Sequence, residues 1–305
     1  MVDAAAKSVL ALRRAFSSIK PPDRITQEAY DSTPKHLRRL ARLCSGDKPE
    51  VRDLWEYTQD LLYGGEIQTT LLAFVLPFCL EAWREDLRGI NNGYGGFVEH
   101  FYPVLANKHV FDSHLTPGQA NAVSDFMRAS ILEEIDDQRG LNFRGKATRP
   151  YRWIGSLTTY GVLLPDIERL WREWWSIDTM GKAVAAVQYI SCLMYGEDEN
   201  PVFAPWTRDG GGGPPCLWDF EGHLYQHCWL EGNVVFLREA LNPEATRKAL
   251  ELSVAKLAAE PESDVARRIR EDWPLCEETV ASRCEELPRL FATVREASKG
   301  FEWSV

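Results

Sequence analysis

His223, His227 and Glu231 follow one another at i, i+4 and i+8. On a helix this spacing places three side chains in one column, an arrangement that can chelate a metal ion. Glu133, Glu134, Asp136 and Asp137 form an acidic cluster, and such clusters can hold a divalent cation. Asp112, Ser113 and His114 are the residue types of a nucleophilic triad. Neighbours in sequence cannot assemble one by themselves, because the triad is a geometry in space. Each pattern also fits a plainer role. The HExxH motif of zinc proteases and the spaced DDxxD motif of diphosphate enzymes are both absent, as is a GxSxG elbow. The residues around His223 and His227 include Trp218, Tyr225, Cys228, Trp229 and Phe236, so hydrogen-bonded core histidines are expected. His223, His227 and Glu231 remain the only candidate metal ligands or acid/base groups, and neither a cofactor nor a catalytic set is expected.

A second group of residues points to recognition rather than reaction. Four consecutive glycines, Gly210 to Gly213, follow Asp209 and precede Pro214-Pro215. A phosphate-binding P-loop requires GK[ST] leading directly into a helix, and the two prolines forbid that. The segment from Asn200 to Pro215 reads instead as a long irregular loop, and long loops inside compact domains are often functional. Trp206, Arg208, Asp209 and Trp218 flank the glycines, and Glu197, Asp198 and Glu199 precede them. Trp and Arg are enriched at interface hot spots, so these seven residues are the expected partner-binding set. Arg139, Arg144, Lys146, Arg149 and Arg152 interleave with Phe143, Tyr151 and Trp153. Single-stranded nucleic acids bind to such mixtures and a protein partner could do so too, but the stretch is short and the rest of the chain acidic, so a solvated linker is expected.

Helices must position all of these groups. Residues 3–18 carry Val9, Leu10, Leu12 and Phe16 near one face, and Pro21-Pro22 end the segment. Helices are also expected from Thr33-Pro34, over 49–63, and over 66–88 with a kink at Pro77. The clearest start is Thr116-Pro117-Gly118-Gln119, which combines a capping box with a proline at the first helical position. Val123, Phe126, Met127, Ile131 and Ile135 then form one stripe. Pro165-Asp166 opens a segment with Trp171, Trp174 and Trp175 at i, i+3 and i+4, and residues 178–195 are apolar nearly all round. Further helices are expected at 217–241, 243–259, 262–272 and 276–299. No alternating strand pattern and no repeat is found. The expected fold is all-α, with about ten helices in one large or two closely packed subdomains: 1–138, a basic linker over 139–152, and 153–305.

Composition limits the function classes. The 305 residues carry 35 Lys+Arg and 45 Asp+Glu, a net charge of −10. Such a chain is too apolar and aromatic to be disordered and too acidic to favour nucleic acid. Residues 151–305 hold −9 of that charge and nine of the 11 Trp. Seven cysteines, at 44, 79, 192, 216, 228, 276 and 284, form no CxxC pair and read as reduced thiols of a cytoplasmic protein. The longest apolar run, Leu71 to Leu80, is about half the ~20 residues of a membrane span, so no membrane association is expected.

Ala15-Phe16 followed by Pro21-Pro22, then Leu76-Pro77-Phe78, then Leu115-Thr116-Pro117 and Gln119, resemble a set of uncharacterised helical bacterial proteins over the first 130 residues. In general character the chain is also similar to the larger helical immunity proteins encoded beside antibacterial toxins. That resemblance implies a non-enzymatic protein that occludes the active site of a basic toxin domain. The alternatives are a helical enzyme acting through His223, His227 and Glu231, and a helical scaffold or regulator.

Overall fold

The computed structural model describes residues 2–22, 35–42, 49–63, 66–88, 97–141, 152–196, 200–202 and 227–293. Every regular element among them is a helix, and no strand is present. Seven helices come before the basic stretch: α1 (Val2–Phe16), α2 (Lys35–Arg42), α3 (Val51–Tyr63), α4 (Thr69–Leu87), α5 (Phe97–Asn107), α6 (Val110–Ser113) and α7 (Pro117–Asp136). Six follow it: α8 (Arg152–Leu163), α9 (Ile167–Trp174), α10 (Met180–Met194), α11 (Glu231–Ala240), α12 (Pro243–Lys256) and α13 (Ser263–Phe291). The chain divides into two compact units, residues 1–130 and 131–305. No helix among the described residues is long and apolar enough to cross a membrane.

In the first unit α3 packs most extensively on α5, with α2 and α4 against α3. Its core contains Leu54, Tyr57 and Leu61 of α3 with Val75, Leu76 and Trp83 of α4. The capping box at Thr116 forms as its sequence demands: Gln119 Oε1 accepts from the Thr116 N–H at 3.0 Å, and the Gln119 N–H donates to Thr116 Oγ1 at 3.4 Å. The stripe of α7 is equally plain: Val123, Phe126 and Met127 of this unit, and Ile131 and Ile135, which belong to the second, are all fully buried.

The second unit is built around α10, whose residues from Gly181 to Met194 are all buried. A helix apolar all round belongs in the centre of a helical layer, and α12 and α13 pack on it and on each other. Both ends of α10 are tied down. Thr179 Oγ1 accepts from the Lys182 N–H at 3.2 Å and donates to Asp136 Oδ1. At the other end Arg283 Nη1 of α13 donates to the carbonyls of Cys192 and Tyr195 at 2.9 and 2.7 Å. A guanidinium here satisfies orphan carbonyls and opposes the negative end of the helix dipole.

Three expectations need correction. The structure has thirteen helices among the described residues where about ten are expected, the additional ones being α5, α6 and α8. The segments expected at 262–272 and 276–299 are one helix, α13, which runs through Pro274. Pro274 is exposed and, lacking an N–H, cannot donate to the Arg270 carbonyl one turn before it. The helix expected over 217–241 does not extend through 227–230: those residues are non-helical and α11 starts at Glu231.

Candidate functional site

An open groove of about 740 Å³ lies between α9 and α11 in the second unit. The aromatic stripe of α9 makes one wall. Trp171 and Trp174 are buried, and Trp175 is half-buried at the turn that ends the helix. Trp171 and Trp175 stack with centroids 5.0 Å apart and planes 21° apart. Behind them Trp174 meets Trp153 of α8 edge to face at 4.7 Å, and Tyr189 of α10 meets Trp174 at 5.4 Å. Edge-to-face and offset contacts suit the ring quadrupoles and make this cluster rigid. Trp175 is the outer ring of the stack and lines the groove; its indole N–H has no hydrogen-bond partner among the described residues.

The opposite wall is α11, which contributes Gly232, Val235, Phe236 and Glu239. Val235 is 48% exposed, a β-branched apolar side chain left in solvent at the lip of a cleft. Glu168 and Arg172 of α9 sit at the rim, where Arg172 Nη2 lies 2.7 Å from Glu168 Oε1.

The groove owes its geometry to one buried amide. Asn233 is 1% exposed; its Nδ2 donates to the carbonyls of Gly161 and Leu164 at 2.8 and 2.7 Å. Its Oδ1 accepts from the Ile167 N–H at 3.4 Å, at the start of α9. Asp166, the residue before α9, does not cap it; its carboxylate accepts from Tyr160 Oη instead. One side chain of α11 therefore satisfies both the orphan carbonyls that end α8 and an orphan N–H that begins α9. The segment before α11 is held just as closely. The Trp229 N–H donates to the Phe291 carbonyl at 2.8 Å and the Leu230 N–H to the Gly161 carbonyl at 3.0 Å. Trp229 stacks flat on Phe291 at 4.4 Å. Gly161 is what admits its ring, since a Cβ at that position would lie 2.4 Å from the indole. Beyond α9 the chain turns through Ile177 at φ 49°, a left-handed conformation that costs a β-branched residue energy. The burial of Ile177, at 5% exposure, opposes that cost.

The residues singled out from sequence fall into separate places. Glu197, Asp198 and Glu199, Trp206, Arg208 and Asp209, Trp218, and His223 lie outside the described residues. His227 is half-buried and precedes α11, while Glu231 is the first residue of α11; the two therefore do not share a helical column. No group of three or more His, Cys, Asp or Glu side chains converges among the described residues. The acidic cluster at the end of α7 is taken up in structural bonds. Asp136 receives the Thr179 hydroxyl, and Gln138 Nε2 donates to the Glu134 carbonyl at 3.0 Å and to its Oε1 at 3.2 Å. His114 Nδ1 sits 3.0 Å from Thr69 Oγ1, a contact that joins the turn before α7 to the start of α4. Of the basic and aromatic stretch, Arg139 bonds the carbonyls of Asp136 and Gln138, and Trp153 is fully buried.

A second cleft, of about 490 Å³, lies where the α11–α12 turn meets α13 and includes Arg238, Asn242, Cys284 and Arg289. Burial pushes the Cys284 thiol up to about 11, so it is protonated at neutral pH and a poor nucleophile. Comparison with protein-family models, with curated proteins and with solved structures finds no match to this chain.

Proposed function

We propose that this chain is a cytoplasmic, non-enzymatic binding protein that receives a basic protein partner, as an immunity protein receives a toxin. The observation that carries the reading is the α9–α11 groove, where a rigid tryptophan wall faces the exposed Val235 across an open cleft. Aromatic anchors that become desolvated at the centre of an interface dominate its affinity. The acid excess of residues 151–305 supports a basic partner, because complementary charge steers association and disfavours wrong partners. In this reading Trp206, Arg208, Asp209, Trp218 and Glu197 to Glu199, which lie outside the described residues, add contacts to the partner.

Co-expression with the product of the adjacent gene tests the proposal. A stable one-to-one complex on size-exclusion chromatography, and rescue of growth from that product's toxicity, are the expected results. Val235→Lys should weaken the complex by about tenfold or more, since it removes the apolar contact and sets a like charge against the basic partner. A basic neighbour that neither binds nor is neutralised overturns the reading.

A further inference from the structure

Resting on the binding reading above, we infer that the α9–α11 groove selects an arginine side chain of the protein partner. Glu231, Val235 and Glu239 stand at i, i+4 and i+8 on α11, and all three are exposed. Glu239 lines the groove and has no ion-pair partner among the described residues. The other two charges of the lining cancel: Arg172 bonds Glu168 through both Nε, at 2.8 Å, and Nη2. Arg169 just outside is turned to Glu173 at 3.4 Å. The groove therefore presents one carboxylate without an ion-pair partner among the described residues, and Trp175 lines the same groove.

That pair of features discriminates among occupants. An anionic group meets Glu239 and finds Arg172 already engaged. A purely apolar segment would desolvate Glu239 without pairing it, which is costly. A lysine ammonium satisfies the carboxylate but is strongly hydrated and offers no planar face to the indole. An arginine answers every group at once. Its methylene stem covers Val235 and Phe236, its guanidinium plane stacks on Trp175, and its in-plane donors reach Glu239. The groove volume of about 740 Å³ lies within the range of pockets that take small ligands, so one arginine side chain occupies only part of it.

The test uses the full-length chain and three capped heptapeptides that differ only at the central residue: arginine, lysine or citrulline. The ¹H–¹⁵N indole resonance of Trp175, assigned through Trp175→Phe, reports occupancy. The arginine peptide should shift it saturably, with at least fivefold weaker binding for the lysine and citrulline peptides. Glu239→Gln, a solvent-facing change that leaves α11 intact, should weaken the arginine peptide by a similar factor and leave the citrulline peptide unaffected. Equal affinity for the three peptides, indifference to Glu239→Gln, or no shift at millimolar peptide overturns the inference. A partner that is still captured by Glu239→Gln with unchanged affinity removes the arginine site while the binding reading stands. A chain that captures no basic partner removes the binding reading itself.

Discussion

Asn233 makes three hydrogen bonds that join the end of α8, the start of α9 and the body of α11. Truncation to alanine would leave the Leu164 carbonyl and the Ile167 N–H without these bonds, while the Gly161 carbonyl would keep only the Leu230 N–H. Asn233→Ala should therefore cost about 3 kcal/mol, read as a lowered urea midpoint at constant slope. Gly161→Ala is the companion change: the added methyl would displace the Trp229 ring. Its overpacking cost of about 1–3 kcal/mol should appear with altered tryptophan fluorescence. The signal for Asn233 is present in the sequence, as an asparagine on the stripe of Leu230, Val234 and Leu237. Its partners are not, because they lie 66 to 72 residues away. A charged residue of the first unit gives a pH prediction. Burial holds the Asp53 carboxyl above its ordinary range, although Arg39 Nη1 lies 2.8 Å away and pulls it down. A carboxyl raised in the folded state contributes stability that is full below its unfolded pKa of about 3.9 and is lost as pH rises through the folded value. Relative to Asp53→Asn, the natural protein should lose stability from about pH 3 upward and level off once Asp53 has ionised in the folded state. A difference that grows with pH would mean that the Arg39 bond outweighs burial.

The junction of α7 with α10 shows what a helix pattern reveals and what it conceals. The stripe of α7 and the all-apolar character of α10 follow from period alone, and both helices form where that period places them. Their meeting does not follow from it. The start of α10 approaches the end of α7 so closely that a Cβ on Gly181 would lie 1.9 Å from the Asp136 carbonyl. The negative end of one helix thus faces the positive end of the other, an attractive arrangement. Gly118 offers the contrast, since a Cβ there meets nothing within 4 Å. Gly118→Ala, in the first turn of α7, should raise stability by a few tenths of a kcal/mol, less than the roughly 0.5–1 kcal/mol of a helix interior. Gly181→Ala should lower it by several times that amount, as clashes with backbone cannot relax by side-chain rotation. Thermal denaturation of the two variants side by side checks both signs. The same limit explains α13. Pro274 reads as a break in any local pattern, yet Ile269, Trp273 and Val280 are buried on both sides of it, and tertiary packing carries the helix through. Of the residues chosen as partner contacts, all but Trp218 lie outside any expected helix, so residue type rather than period selected them. The groove escaped notice because its walls, α9 and α11, stand more than fifty residues apart in sequence.

Charge is a property of the molecule as a whole, and its effect differs from that of the groove. Residues 151–305 carry −9 of the net −10, and on the described helices arginines pair with acids one turn away, as Arg172 does with Glu168 and Arg267 with Asp264. Such pairs between exposed groups contribute little to stability. The unpaired excess instead sets a negative field that reaches about 10 Å at 0.1 M salt. A field acts before contact, so it governs the rate of encounter. The tryptophan wall and Val235 act only after contact, so they govern the lifetime of the complex. The two contributions separate in a stopped-flow experiment with the basic partner. Raising sodium chloride from 50 to 500 mM should slow association about tenfold or more and change dissociation little. Val235→Ser, which alters no charge, should speed dissociation and leave the salt dependence of association as it was. If salt acts mainly on dissociation, the acidic residues lie inside the contact rather than around it, and the recognition surface extends well beyond the groove.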